Sequence, residues 1–303
     1  MLEIIKAIIY GIVEGITEWL PISSTGHLIL VERLIPFQQT SEGFFDMFDV
    51  VIQLGAILAV VVLFWNKIWP FYLKKNQQTK KGGIVRSRKD FTVGNVALSM
   101  DAFWMWVKIV VACIPAVVYG LLFDDAVSEA FKKEIGGSGV TIQVIVVAVM
   151  LVLVGVLFIV IENWNKNRVP VTTKLSQLTY RDALIIGLCQ LAAAALPGTS
   201  RSGATILGAI VIGISRTVAA EFTFFLAIPV MFGASLLKVV KFGFAFTGME
   251  LACLLVGTIV SFIVSLFVLR FLMEYIKKHD FKVFGWYRIV LGIVVLLYFL
   301  VFV

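Results

Sequence analysis

The feature that most constrains this chain is a series of six long apolar stretches separated by polar segments. Each approaches or exceeds the ~20 apolar residues that a helix needs to cross a bilayer. Only 15% of the 303 residues are charged, against about a quarter in a soluble domain. The sequence predicts an all-α, polytopic integral membrane protein, a single membrane domain over residues 1–303. The predicted spans are Phe44–Trp65, Ala102–Phe123, Thr141–Ile161, Phe222–Val240, Leu251–Leu272 and Phe284–Val303.

The formal net charge of +7 is explained by the loops and does not indicate a nucleic-acid partner. Basic residues concentrate in alternate loops, whereas residues 124–139 carry Lys132 and Lys133 against four acids. Cytoplasmic loops are enriched in lysine and arginine, so the basic loops are predicted to be cytoplasmic and both termini to lie outside. The basic residues counted are Lys67, Lys74, Lys75, Lys80, Lys81, Arg86, Arg88, Lys89, Lys166, Arg168, Lys174, Arg181, Lys277, Lys278 and Lys282, with Arg270 and Arg288 flanking the last loop.

Two further apolar segments are interrupted by polar residues and proline, and neither half of either is long enough to cross a membrane. The interruptions read EGITEWLPISSTGH and QLAAAALPGTSRSGAT. Broken helices are tolerated at membrane depth only where they line an enclosed or watery cavity. We therefore predict two re-entrant helix–loop–helix elements, at about 2–35 and 183–214.

The two interruptions resemble each other, which predicts an internal repeat. Glu14 stands before Pro21 as Gln190 stands before Pro197, and three spans follow each interruption. A re-entrant element plus three spans crosses the membrane an odd number of times, so the second half must be inverted. The predicted repeats are residues 1–123 with 141–161, and residues 181–303. In such folds the site lies where the broken helices meet, here in a cavity that opens outward.

The first interruption carries an acidic pair, hydroxyls and a histidine. Glu14 and Glu18 share one helical face, where each charge costs about 2.5–3.5 kcal/mol at the centre of a membrane. A metal, a cation or a shared proton must compensate, unless both acids lie at the lipid headgroups. Ser23, Ser24 and Thr25 precede His27, which places a nucleophile near a proton carrier. Ser23 or Ser24 could instead be the N-cap of the following half-helix.

The second interruption resembles an anion site centred on Arg201. Glycines let backbone N–H groups approach an anion, and arginine matches phosphate oxygens with a forked donor. The alternative is an arginine that satisfies loose carbonyls at the bend. With the acidic pair, this set predicts metal-assisted phosphoryl transfer on a substrate that resides in the membrane. The predicted phosphate ligands are Ser23, Thr25, Gly198, Thr199, Ser200, Ser202 and Thr205.

EGITEWLPISSTGHLIL together with LPGTSRSGATI resembles the undecaprenyl-diphosphate phosphatases of the bacitracin-resistance type. The resemblance covers essentially the whole chain, including FDVVIQLGAILAVVVLFW, AAEFTFFLAIPVMFGA and FGWYRIVLGI; the loops at 74–93 and 124–139 look long for the family. It implies a bacterial inner-membrane enzyme that removes the terminal phosphate of undecaprenyl diphosphate, so that the carrier lipid is reused in cell-wall synthesis.

The same resemblance implies the roles of the site residues. Glu14 and Glu18 would bind a divalent cation, Mg²⁺ or Ca²⁺, Ser24 would be the nucleophile and His27 the acid and base. Arg201, with Ser200 and Thr205, would bind phosphate. Attack by a metal-activated water would use the same residues.

Two alternative functions explain fewer of these residues. A transporter or lipid flippase would share the inverted repeat but needs no nucleophile beside an acidic pair. A structural protein would leave costly ionisable groups at membrane depth unexplained. Asp49, Gln53 and Glu221 are interpreted as polar residues at span ends or as supports for the site. The sequence is compatible with a homodimer but does not require one.

Overall fold

The computed structural model describes residues 1–73, 91–93, 96–131 and 142–302. Within these ranges the chain forms eleven α-helices and one small antiparallel sheet, in the strand order β1-β3-β2. The helices are α1 (Leu2–Thr17), α2 (Ser24–Leu34), α3 (Phe44–Ile68), α4 (Met100–Leu122), α5 (Asp124–Phe131), α6 (Ile142–Asn165), α7 (Tyr180–Ala195), α8 (Arg201–Val211), α9 (Arg216–Phe242), α10 (Gly248–Tyr275) and α11 (Lys282–Phe302), and the strands are β1 (Phe71–Leu73), β2 (Phe91–Val93) and β3 (Val96–Leu98).

Six of these helices are long and apolar enough to cross a membrane, which confirms the predicted all-α fold and the number of spans. They are α3, α4, α6, α9, α10 and α11. The start of α9 was predicted too late. Ser215 is its N-cap and accepts a hydrogen bond from the Val218 N–H, so the cap sets the start several residues before the hydropathy rises.

The sheet was not predicted, because its strands are short and lie beside a basic loop. The basic residues from Lys74 to Lys89 fall outside the described residues, as do Lys132 and Lys133. The long loop expected at 124–139 begins with α5, and its remainder also falls outside the described residues.

Both interruptions are real breaks in helical structure. Residues 18–23, the first break, separate α1 from α2, and residues 196–200, the second break, separate α7 from α8. Each break ends at a serine with a positive φ, 72° at Ser23 and 69° at Ser200. These serines are the N-caps of α2 and α8, and they accept hydrogen bonds from Gly26 N–H and Gly203 N–H. The structure therefore selects Ser23 over Ser24 as the cap.

The two breaks align with a shift that the sequence comparison missed. Alignment of Pro21 with Pro197 places Ser200 opposite Ser24, because each serine lies three residues after its proline. The helix caps instead match Ser200 to Ser23. The second break is thus one residue longer between its proline and its cap.

Close helix packing holds both breaks inside the protein. Helix α1 packs on α10, α7 on α4, α3 on α9 and α6 on α11. Glycines permit this approach: a Cβ on Gly11 would lie 2.6 Å from the Gly257 carbonyl oxygen of α10, and one on Gly187 would lie 2.4 Å from that of Ala112 in α4. Small residues at such contacts are typical of helix association in membranes.

Candidate active site

Glu18, at the end of α1, is the point where the two breaks meet. Its Oε1 accepts a hydrogen bond of 2.7 Å from Arg201 Nη2, and its Oε2 accepts one of 3.0 Å from Ser24 Oγ. Its backbone carbonyl accepts a third, of 3.2 Å, from Ser202 Oγ. Glu18 is 8% exposed, so this charge-assisted pair is formed away from bulk water and is correspondingly strong. The starts of α2 and α8 therefore both contact Glu18 at the end of α1.

Glu14 lies one turn before Glu18 on α1, close enough for the two carboxyl groups to interact electrostatically. It is fully buried, and neither of its carboxylate oxygens has a hydrogen-bond partner among the residues that the structure describes. Gln190 of α7, which the sequence comparison matched to Glu14, is 2% exposed, and its side-chain atoms also lack hydrogen-bond partners among the described residues. An ionised carboxylate buried in this way is strongly disfavoured, so Glu14 must bind a proton or a cation.

The carboxylates of Glu14 and Glu18 are the predicted ligands of a divalent cation. Within the described ranges no group of three or more His, Cys, Asp or Glu side chains could hold a metal ion. Two carboxylates suit Mg²⁺, which is usually bound by one or two carboxylates together with substrate phosphates and water. The free oxygens of Glu14 therefore fit such an ion, provided that the substrate supplies further ligands.

Both ring nitrogens of His27 have hydrogen-bond partners other than Ser24, although the two residues are close in sequence. Its Nδ1 lies 2.7 Å from the Ser23 carbonyl oxygen, and its Nε2 lies 2.8 Å from the Tyr287 hydroxyl. Within the described residues, the Ser24 hydroxyl donates its hydrogen bond to Glu18.

The predicted phosphate ligands at the start of α8 are mostly engaged with their own helix. Thr199 Oγ1 donates to the Leu196 carbonyl, at 2.7 Å. Ser200 and Ser202 lie with their hydroxyls 3.2 Å apart. Thr205 is fully buried and donates to the Arg201 carbonyl, at 2.8 Å. Of these side chains, Ser200 and Arg201 are partly exposed and remain the most accessible to an anion.

Two other predicted ligands lie at the breaks. Gly198 has a φ of 87°, and a Cβ on it would lie 2.6 Å from the Val147 Cα of α6. Only glycine fits there, because the backbone is left-handed and touches α6. Thr25 is half-buried in the first turn of α2.

Comparison with known proteins identifies the family. The family model described as bacitracin resistance protein BacA matches residues 7–294. The chain belongs to the BacA family.

Similar proteins cover almost the whole chain. An undecaprenyl-diphosphatase of Desulfitobacterium hafniense is 56% identical over 299 residues, which are 99% of this chain and 97% of the relative. One of Enterococcus faecalis is 54% identical over 296 residues, 98% of this chain and 97% of the relative. One of Acetivibrio thermocellus is 54% identical over 300 residues, 99% of each. The resemblance inferred from the two motifs is therefore confirmed, and with six apolar helices this BacA chain is a multi-pass membrane protein.

Arg288 of α11 contacts both breaks in this BacA chain, which the sequence analysis did not predict. It was counted as a loop-flanking charge, but it is fully buried. Its Nη1 donates to the Pro21 carbonyl at 3.2 Å, and its Nη2 donates to the Gly198 and Thr199 carbonyls at 2.9 and 3.0 Å. One guanidinium thus ties both breaks to the last span. An arginine within a predicted span was the available signal.

The three residues interpreted as span-end polar residues or supports, Asp49, Gln53 and Glu221, lie near the starts of α3 and α9, which pack on each other. Glu221 of α9 accepts a hydrogen bond of 2.6 Å from Lys67 of α3. Asp49 and Gln53 of α3 are half-buried, and Asp49 Oδ1 has no hydrogen-bond partner among the described residues of this BacA chain. Thr223, which the sequence analysis did not select, donates to Thr205 Oγ1 at 2.9 Å.

Proposed function

We propose that this chain is an undecaprenyl-diphosphatase that converts undecaprenyl diphosphate and water into undecaprenyl phosphate and inorganic phosphate. This activity recycles the carrier lipid of cell-wall synthesis and confers bacitracin resistance. The observation that carries the proposal is the contact of Ser24 and Arg201 with the same carboxylate, Glu18. The similar proteins named undecaprenyl-diphosphatase support it over the full chain.

In the first step, Ser24 Oγ attacks the terminal phosphorus. Glu18 Oε2, which accepts the Ser24 hydrogen bond at 3.0 Å, takes the proton, since a base must lie within hydrogen-bond reach of the proton that it removes. The anhydride P–O bond breaks, undecaprenyl phosphate leaves, and the phosphoryl group remains on Ser24. Arg201 stabilises the negative charge that develops on the phosphoryl oxygens.

In the second step, water attacks the phosphoserine. His27 takes a proton from that water, the P–Oγ bond breaks, and Ser24 recovers its proton from Glu18. His27 then passes its proton to the inorganic phosphate as this product is released. His27 is half-buried one turn after Ser23. Its Nδ1 is engaged by the Ser23 carbonyl, so Nε2 is the nitrogen that would take the proton. The two steps together consume one water molecule and regenerate the enzyme.

Glu14 and Glu18 are the residues that would hold Mg²⁺ or Ca²⁺. When bound there, the ion would neutralise charge on the diphosphate oxygens and polarise the phosphoryl group. The buried, unpartnered oxygens of Glu14 support this assignment. Ser200, Ser202 and the start of α8 would complete the phosphate contacts, since a helix N-terminus favours an anion.

The proposed architecture is an inverted repeat with two re-entrant elements, α1–α2 and α7–α8. The main helix contacts map onto one another when the helices of the two halves are exchanged. The exchanged pairs are α1 and α7, α2 and α8, α3 and α9, α4 and α10, and α6 and α11. The contact of α1 with α10 becomes that of α7 with α4, and the contacts of α3 with α9 and of α6 with α11 map onto themselves. The paired serine caps follow the same exchange.

The proposed orientation of the protein in the membrane follows from the positions of the basic loops. The protein lies in the bacterial cytoplasmic membrane with both termini outside, because Lys166, Arg168, Lys174 and Lys277 fall in loops of one side. The first break then enters from outside, and the cavity opens to the extracytoplasmic surface.

The test is phosphate release from a C55 polyprenyl diphosphate by the detergent-purified chain, with Mg²⁺ or Ca²⁺. We expect Glu18→Ala and Arg201→Ala to lower kcat by about 10²–10³, the range for loss of one transition-state contact. Matched controls are Glu274→Ala and Arg270→Ala, whose side chains are exposed on α10, and which should keep full activity. Folded wild-type protein that releases no phosphate with either ion would refute hydrolysis and favour a lipid transporter.

A further inference from the structure

We propose that Tyr287 of α11 is a positioning residue that sets the orientation and the hydrogen-bonding state of His27. This inference rests on the proposed hydrolase function and deepens it. It assigns a role to a residue far from both breaks in sequence, on the helix that Arg288 fixes to the site.

The geometry around His27 defines which nitrogen carries hydrogen. The Ser23 carbonyl, 2.7 Å from Nδ1, can only accept, so Nδ1 donates to it. In the neutral imidazole, Nε2 then has the lone pair and accepts from the Tyr287 hydroxyl at 2.8 Å. The two rings are parallel within 6°, with centroids 5.6 Å apart. Both the plane and the tautomer of the imidazole are therefore fixed.

Tyr287 is suited to this role because of the surroundings of its hydroxyl. The ring is 46% exposed on the outer face of α11, next to Trp286, which is 59% exposed. Hydrocarbon tails provide no hydrogen-bond partner, whereas the His27 Nε2 lies 2.8 Å from the hydroxyl. The following residue, Arg288, is held by carbonyls of both breaks, which fixes this turn of α11 against them.

A hydroxyl supports both protonation states of the histidine. It donates to Nε2 while the imidazole is neutral and turns aside when the attacking water gives its proton to Nε2. It then accepts a hydrogen bond from Nε2–H. Phenylalanine would keep the stacked ring but could do neither. Tyr287 thus keeps His27 aligned before and after proton transfer without touching the phosphate.

The first measurement compares Tyr287→Phe with the neighbouring Trp286→Phe in the phosphate-release assay. For Tyr287→Phe we expect kcat to fall about tenfold, the effect of losing one hydrogen bond that orients a catalytic group. Its KM should stay within about twofold of wild type, since substrate binding is untouched. Trp286→Phe should match wild type in both constants. Equal kcat values for Tyr287→Phe and wild type would overturn the proposal.

The second measurement reads the histidine directly and needs no activity. The chain has two histidines, so His279→Gln, at an exposed position, leaves His27 as the only imidazole. Diethyl pyrocarbonate acylates imidazole nitrogen, and the rate is followed by absorbance on the purified chain. We expect Tyr287→Phe to accelerate the modification about fivefold by freeing Nε2, and Trp286→Phe to leave it unchanged.

The two measurements separate the possible failures. A wild type without phosphate release refutes the proposed function, whereas a faster modification in Tyr287→Phe would still support the contact. An unchanged modification rate together with a normal kcat overturns the positioning role while hydrolysis stands. A kcat loss with an unchanged modification rate also overturns it, because Tyr287 would then act without His27.

Discussion

Replacement of Arg288 by methionine should destabilise the protein by about 3 kcal/mol. The change removes the donor from three buried carbonyls, those of Pro21, Gly198 and Thr199. Each unsatisfied carbonyl costs about 1–3 kcal/mol, which gives roughly 3–9 kcal/mol. Removal of a buried charge offsets part of this loss, because desolvation of a guanidinium costs several kcal/mol. We therefore expect a net value near the lower end of the range.

Thermal unfolding in detergent, followed by tryptophan fluorescence, measures this effect. With about 2–4 °C of Tm per kcal/mol for a large domain, Arg288→Met should lower Tm by about 6–12 °C. The matched control is Arg270→Met, which removes an exposed arginine from α10 and should change stability by no more than about 0.5 kcal/mol. Equal Tm values for the two variants would refute the view that Arg288 ties the breaks together.

Three further predictions follow from single contacts. Gly198→Ala should lower phosphate release at least about tenfold and reduce Tm, because a left-handed residue is strained and its Cβ would meet Val147; Gly233→Ala, which has open space, should do neither in the same assays. Glu162→Gln should destabilise the chain by about 2 kcal/mol in thermal unfolding, because it removes the charge of a fully buried carboxylate that pairs with the partly exposed Arg216; an unchanged Tm would contradict this. Chelation of divalent ions with EDTA should stop phosphate release, and added Mg²⁺ or Ca²⁺ should restore it; activity that persists in EDTA would exclude the proposed ion.

The spans and the centre of the site were predictable because each depends on a strong local signal. A run of apolar residues long enough to cross a membrane has few alternatives to a buried or lipid-facing helix. Glu18 and Arg201 were identified because ionisable residues in short apolar segments are costly unless they serve a purpose. Their direct contact, at 2.7 Å, joins two segments that the sequence could only match by analogy.

The missed features depend on contacts between distant parts of the chain. Arg288 follows a basic loop, so its charge was explained by topology, and nothing local indicates that it reaches the carbonyl of Pro21. Tyr287 resembles an ordinary interfacial aromatic residue in sequence. The hydrogen bond of Ser24 to Glu18 could not be predicted, because spacing along the chain does not fix which way a side chain points once the cap at Ser23 turns the backbone.

The packing of α1 on α10 sets an order of events during synthesis. The Gly11 face of α1 fits the backbone of α10 at Gly257, and α10 is made only after most of the chain has left the ribosome. Until then, α1 carries the buried carboxylate of Glu14 without the helix that encloses it. Helix α1 is therefore made well before the helix that it packs on, and it reaches its final place only after α10 is in the membrane.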